Sequence, residues 1–177
     1  MKNIYLIGFM GCGKTSSGKK LSKLLKVPFL DTDQMIVAQA GKKIPDIFRE
    51  EGEEAFRRRE TEVFRKLAEE QKEGAVISCG GGAALREENV ALMKQGGLVV
   101  MLTASSKTIY NRVKGGHNRP LLEGRMSVEG IEELMQGRLP FYEKAADLKI
   151  PTDRLRCIQV AKNIAKAVKT RESRLDS

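Results

Sequence analysis

The chain has 177 residues, 41% of them hydrophobic, enough for one ordinary domain with a real core and too few for two large ones. No stretch approaches the ~18 continuous apolar residues of a membrane span, and the first apolar run, Ile4-Tyr5-Leu6-Ile7, meets Gly8 too early for a signal-peptide core. With 32 basic and 23 acidic residues the net charge is +9, which favours anionic partners; no Trp, 6 Phe and 3 Tyr give no aromatic stripe for stacking bases, so nucleic acid is a lesser reading than nucleotides or small acids.

In chain order, residues 4–7 read as a short buried strand running into glycines, and 14–25 as a helix with Leu21, Leu24 and Leu25 at helical spacing. Residues 28–30 form a second strand ending at Asp31-Thr32-Asp33. Pro45 suits a helix start, and 53–71 reads as a long helix with Phe56, Val63, Phe64 and Leu67 on one stripe. A third strand at 75–78 leads into Gly80-Gly81-Gly82, and a fourth covers 98–102. Residues 114–124 are polar, basic and glycine-containing, the pattern of a mobile loop. Residues 128–142 are helical until Pro140, 148–150 form a weak fifth strand, and Ile158, Ala161, Ile164, Ala165 and Val168 mark a last amphipathic helix that frays after Thr170. Short strands alternating with helices predict an α/β fold with parallel β-α units. Its ligand would lie beyond the carboxyl ends of the strands, where the glycine loop, the Asp pair and the triple glycine meet.

Gly8-Phe9-Met10-Gly11-Cys12-Gly13-Lys14-Thr15 matches Gly-x4-Gly-Lys-Thr, a P-loop. Its glycines let backbone N–H groups converge on phosphate oxygens, and the helix that follows favours the anion. Lys14 is long enough to reach the β and γ phosphates, and the Thr15 hydroxyl suits Mg²⁺. Asp31 and Asp33 read either as a helix cap or as carboxylates serving a metal or a substrate hydroxyl; their place beside the P-loop favours the second. No strand ends in a Walker-B-like Asp and no guanine-reading Asn-Lys-x-Asp occurs, which disfavours a GTPase or motor and favours a small-molecule kinase with Asp31 in the metal role. Arg57, beside Phe56 at the edge of the buried stripe, is placed to fork onto a carboxylate.

The three cysteines, Cys12, Cys79 and Cys157, lie far apart and there is one His, His117, so neither a disulfide scaffold nor a Cys/His zinc site is expected, and a reducing cytoplasm fits best. Cys12 in the phosphate loop and Cys79 before the triple glycine both face the predicted site. Slow alkylation at them, with protection by Mg-ATP, is the expectation, set against the reading of Cys12 as simply a small buried residue.

Several motifs in order resemble the shikimate kinases through about Asp153: the P-loop with Gly18, Asp31-Thr32-Asp33, Gly52-Glu53-x2-Phe56-Arg57-x2-Glu60, Gly80-Gly81-Gly82, Arg119-Pro120-Leu121-Leu122 and Arg138-x-Pro140-x-Tyr142-x2-Ala145. The resemblance implies a three-layer P-loop kinase fold, a five-stranded parallel sheet flanked by helices and a mobile lid. A single kinase domain would cover 1–177, with a lid at about 113–125, a substrate-binding helical segment at about 32–62 and a frayed tail at about 170–177. It implies Mg²⁺, ATP as co-substrate and phosphorylation of the shikimate 3-hydroxyl, in a cytoplasmic monomer that binds neither nucleic acid nor membrane.

Carried over by position, Gly11, Cys12, Gly13, Lys14, Thr15, Ser16, Arg112, Arg119 and Arg154 would bind ATP, and Thr15 and Asp31 the metal, with Ser78 near it. Asp33, Arg57, Gly80, Gly81, Gly82 and Arg138 would bind shikimate; Lys14, Asp33 and Arg119 would be catalytic, Arg119 from the lid, with His117 only solvated. The family's Pro near the adenine is replaced by Thr152-Asp153-Arg154-Leu155-Arg156. A gluconate kinase, a nucleoside monophosphate kinase and a non-catalytic nucleotide or nucleic-acid binder are the rival readings.

Overall fold

The computed structural model describes residues 1–71, 73–115, 122 and 124–175, with Arg174 and Leu175 in backbone only. Strands β1 (Asn3–Ile7), β2 (Phe29–Asp31), β3 (Val76–Ser78), β4 (Gly97–Thr103) and β5 (Leu148–Pro151) form one sheet in the order β2-β3-β1-β4-β5, all neighbours parallel. From β1 the chain goes to one edge and back, then crosses to β4 and β5, so the direction reverses at β1. In such a sheet the crevice for a ligand opens at that reversal, outside the carboxyl ends.

A parallel strand covered on both faces is apolar throughout rather than alternating, and Ile4, Tyr5, Leu6 and Ile7 are at most 1% exposed. Successive side chains point to opposite faces. Tyr5 meets Phe64 of α4 (Glu53–Glu70), ring centroids 6.2 Å apart, while Leu6 reaches Gly18 of α1 (Lys14–Leu25). Helices α1 and α8 (Cys157–Leu175) pack on each other; α4 packs on α2 (Thr32–Ala40), α3 (Ile44–Glu51) and α5 (Glu87–Gly96). The result is a helix–sheet–helix sandwich of three layers. The remaining helices, α6 (Ser106–Val113) and α7 (Val128–Ala145), lie together beside β4.

Two expectations yield to tertiary contacts. Helix α7 does not stop at Pro140 but runs on to Ala145. An interior proline removes one helical hydrogen bond and costs about 3 kcal/mol; burial of Tyr142 (3% exposed) and Ala145 (0%), with a hydrogen bond from the Tyr142 hydroxyl to the Gly81 carbonyl, opposes that cost. Helix α8 likewise continues past Thr170, because Arg171 donates to the Asp147 carbonyl at 3.1 Å and to its carboxylate at 3.4 Å. The 3₁₀ turn Ala83–Leu85 and helix α5 carry too little apolar periodicity to stand out in the sequence: α5 buries only Asn89 and Met93. Helix α6, capped by the Ser105 hydroxyl, buries Ile109 and Val113 one turn apart. Most of the expected lid, with His117 and Arg119, lies outside the described residues.

Candidate active site

At the carboxyl end of β1 the chain must turn at once over β4. Gly8 does so with φ 136°, and a Cβ there would collide with the Leu102 carbonyl oxygen, so only glycine fits. Gly13, φ 98°, then opens α1 without a side-chain cap, leaving the first N–H groups of the helix facing the crevice. The Lys14 ammonium lies along its own loop, donating to the Gly8 carbonyl at 2.7 Å and the Phe9 carbonyl at 3.1 Å.

The crevice is a cleft of about 740 Å³ lined by Gly11, Cys12, Gly13, Lys14, Thr15, Ser16, Asp31, Asp33, Gly80, Gly81 and Arg112 among others. The motifs expected to converge do converge there. Asp31 serves both readings of its sequence position. One oxygen caps α2, accepting from the Asp33 and Gln34 N–H groups, and the other accepts from the Thr15 hydroxyl at 3.3 Å; Ser78 Oγ lies 3.2 Å from Thr15 Oγ1. This is an all-oxygen set of one carboxylate and two hydroxyls. It suits a hard cation that keeps most of its water and arrives with phosphates. In keeping with that, no cluster of three or more His, Cys, Asp or Glu able to hold a metal occurs among the described residues.

Asp33, in the first turn of α2, lies against Gly80, its Oδ1 2.7 Å from where a Gly80 Cβ would stand. Burial raises its pKa first and the Asp31 charge adds to the rise, while Lys14 and Arg57 oppose it. Arg57 projects from the first turns of α4. Its guanidinium donates to Glu60 Oε2 at 3.1 Å and to Glu53 Oε1 at 3.4 Å, and it abuts Gly82 so closely that a Cβ there would overlap it. Arg138, on α7, donates to the Gly81 carbonyl at 3.4 Å and stands over the Phe9 ring. Arg112 bridges the phosphate loop to the end of β5, donating to the Gly11 carbonyl at 3.1 Å and to both oxygens of Thr152 at 3.0–3.2 Å.

Two expectations about the cleft change. Arg154 is exposed and does not line it; its left-handed backbone, φ 56°, turns the chain so that Leu155, Arg156 and Cys157 line it instead. Cys12 and Cys79 do border the cleft, but at only 1% and 2% exposed they offer little surface to a reagent, and burial pushes the Cys79 thiol well up. Cys157, half-buried at the cleft wall, is the accessible thiol among the described residues. Brief treatment with a small alkylating agent is therefore expected to label Cys157 ahead of the other two, and Mg-ATP to slow that labelling. Mass mapping that finds Cys12 or Cys79 labelled first in the native protein contradicts this.

Glu60, part of the Gly52–Glu60 motif but given no role by the sequence, is a further member of this site. Its side chain is 1% exposed; Oε2 pairs with Arg57, whereas Oε1 has no hydrogen-bond partner among the described residues. Burial raises its pKa against the pull of Arg57. Its spacing of three from Arg57 on a helix was the available signal.

A five-stranded parallel sheet with a P-loop opening α1 defines a P-loop kinase fold. The sequence profile of the family described as Shikimate kinase matches residues 10–169. The shikimate kinase of Symbiobacterium thermophilum is 42% identical over 97% of this chain and 99% of its own length, and that of Thermodesulfovibrio yellowstonii is 44% identical over 94% of each. Among solved structures, the shikimate kinase from Acinetobacter baumannii in complex with shikimate superposes with a TM-score of 0.89 at 36% identity, covering 97% of this chain and 94% of that one. The one from Aquifex aeolicus superposes with 0.82 at 36% identity, covering 96% and 98%. The chain belongs to the shikimate kinase family.

Proposed function

We propose that the protein transfers the γ-phosphoryl group of ATP to the 3-hydroxyl of shikimate, giving shikimate 3-phosphate and ADP on the route to chorismate and the aromatic amino acids. The observation that carries this reading is a P-loop and Asp33 facing one crevice, with two arginines, Arg57 and Arg138, set against the glycine turn Gly80–Gly82 that borders it. A polyphosphate and a hydroxylated carboxylate are both anions, which suits the net charge of +9.

The P-loop N–H groups and Lys14 hold the phosphates, the ammonium moving from its own loop's carbonyls to a γ-oxygen. Thr15 and Asp31, with Ser78 beside them, hold Mg²⁺; when bound, the ion neutralises phosphate charge. Arg57 and Arg138 bind the substrate carboxylate, and the Gly80–Gly82 turn brings backbone close to the ring. Asp33 orients the hydroxyl. As the hydroxyl oxygen bonds to phosphorus, the bond to the bridging oxygen of ADP breaks and the hydroxyl proton passes to Asp33. Such transfer needs positioning and charge neutralisation more than covalent chemistry. Arg112 flanks the base, with Leu155, Arg156 and Cys157 taking the place expected of Arg154. Arg119 supplies charge to the moving phosphoryl group from the lid; Arg119→Ala is expected to lower kcat by about a thousandfold, in the range for such arginines, while His117→Ala stays within about threefold.

The protein acts as a cytoplasmic monomer without nucleic acid or membrane; no helix among the described residues is long and apolar enough to cross a membrane. A coupled ADP-release assay with Mg-ATP against shikimate, gluconate and nucleoside monophosphates tests the reading. Turnover with shikimate alone is expected, and turnover only with another acceptor overturns it.

A further inference from the structure

We infer that Tyr142 is a positioning residue for substrate binding, its hydroxyl setting the glycine turn that spaces the two arginines; this rests on the carboxylate-binding role proposed for Arg57 and Arg138. Tyr142 lies four residues after Arg138 on α7, so both project from one face of the helix. The phenol is 3% exposed and donates to the Gly81 carbonyl at 2.6 Å. Arg138 donates to the same oxygen at 3.4 Å. The hydroxyl and the guanidinium thus share one acceptor, which ties both to the turn.

The turn needs such a tie. Three consecutive glycines have the widest choice of backbone conformations of any tripeptide, so their native shape must come from outside contacts. Two of these contacts hold the ends: Thr32 Oγ1 accepts from the Gly80 N–H at 3.0 Å, and Asn89 Nδ2 donates to the Ala83 carbonyl at 3.1 Å. Tyr142 holds the middle. The peptide unit from Gly81 to Gly82 is planar and trans, so fixing its carbonyl oxygen also fixes the Gly82 N–H on the opposite edge and the Gly82 α-carbon on the same edge. Gly82 is the residue on which the Arg57 guanidinium rests, with Nη2 2.7 Å and Cζ 2.8 Å from its Cβ direction. Arg138 thus meets this peptide unit at its oxygen and Arg57 at its Gly82 end. Rotation of the unit therefore changes the gap between the two guanidinium groups, and that gap is what a carboxylate must bridge.

Tyr142→Phe keeps the buried ring and removes the hydroxyl. The expected result is a shikimate KM raised about tenfold, the scale of one well-placed hydrogen bond, with kcat and the ATP KM within about twofold of the parent. In an Arg138→Lys background the same change should add less than about twofold, since both act on one contact. An unchanged shikimate KM overturns the inference, as does full additivity with Arg138→Lys. So does a parallel loss in kcat, ATP KM and thermal midpoint, which assigns the hydroxyl to the fold. Failure of the parent protein to turn over shikimate appears before any variant is compared and overturns the proposed function itself.

Discussion

Asp33→Asn is expected to lower kcat about a thousandfold, within the span for a group that takes a proton in the transition state, while leaving the ATP KM near that of the parent. The asparagine keeps the shape of the side chain pressed against Gly80 but accepts no proton. The pH dependence gives an independent reading. Burial first, and then the charge of Asp31, raise the Asp33 pKa over the opposition of Lys14 and Arg57, so the acid limb of kcat/KM for the parent should lie above the ordinary carboxylate range. Asp31→Asn should move that limb to lower pH. The same shift affects stability. A carboxyl with a raised pKa holds its proton more tightly folded than unfolded; its contribution is full below the unfolded pKa and is lost as pH rises through the folded one. At neutral pH the ionised Asp33 is thus held at a cost to the fold, and Asp33→Asn should melt no lower than the parent. A variant that is nearly fully active, or one that loses activity only because it melts early, refutes the assignment.

The parts of this site that were legible in the sequence are those whose chemistry is local. The P-loop is a contiguous pattern, and its place between a strand and a helix follows from apolar spacing alone. Asp31 and Asp33 could be placed because they follow a strand, and strand ends converge in a parallel sheet. Tyr142 depends on a partner brought in by the fold, and although Arg57 is a local partner for Glu60, the burial that makes that pair matter comes from the rest of the fold. The Tyr142 contact spans 61 residues, and nothing around Tyr142 in the sequence announces Gly81. The helix through Pro140 was hidden for the same reason, since local propensity ends it and distant burial continues it. The cysteines divide between position and reactivity. Adjacency to functional glycines placed Cys12 and Cys79 at the site, and both do border the cleft, yet burial leaves almost none of either thiol exposed. The open thiol at the cleft wall is Cys157, at the start of α8, in a segment that carries no motif.

Gly82→Ala is expected to raise the shikimate KM ten- to a hundredfold, with the ATP KM within about twofold. The backbone does not object: Gly82 has φ −96° and ψ −3°, which alanine adopts readily. The obstacle is the Arg57 guanidinium, which occupies the space the methyl group would take. Arg57 cannot simply move aside, because Glu60 holds it from a position only 1% exposed and Glu53 holds it from the outer side. Displacing the guanidinium leaves the Glu60 carboxylate buried with neither oxygen paired, and breaking a buried pair in this way is costly. The methyl group therefore acts on the carboxylate fork while leaving the phosphate loop untouched. Arg57→Lys separates charge from shape: the ammonium still faces Glu60, but the planar fork is gone, so the shikimate KM should rise by a similar factor with little change in thermal midpoint. Steady-state kinetics on the two variants and their combination decides the matter. If both changes act through the Arg57 fork, the double variant is scarcely worse than either single one; independent, multiplying losses, or a Gly82→Ala enzyme with a normal shikimate KM, would show that the turn and the arginine do not act as one unit.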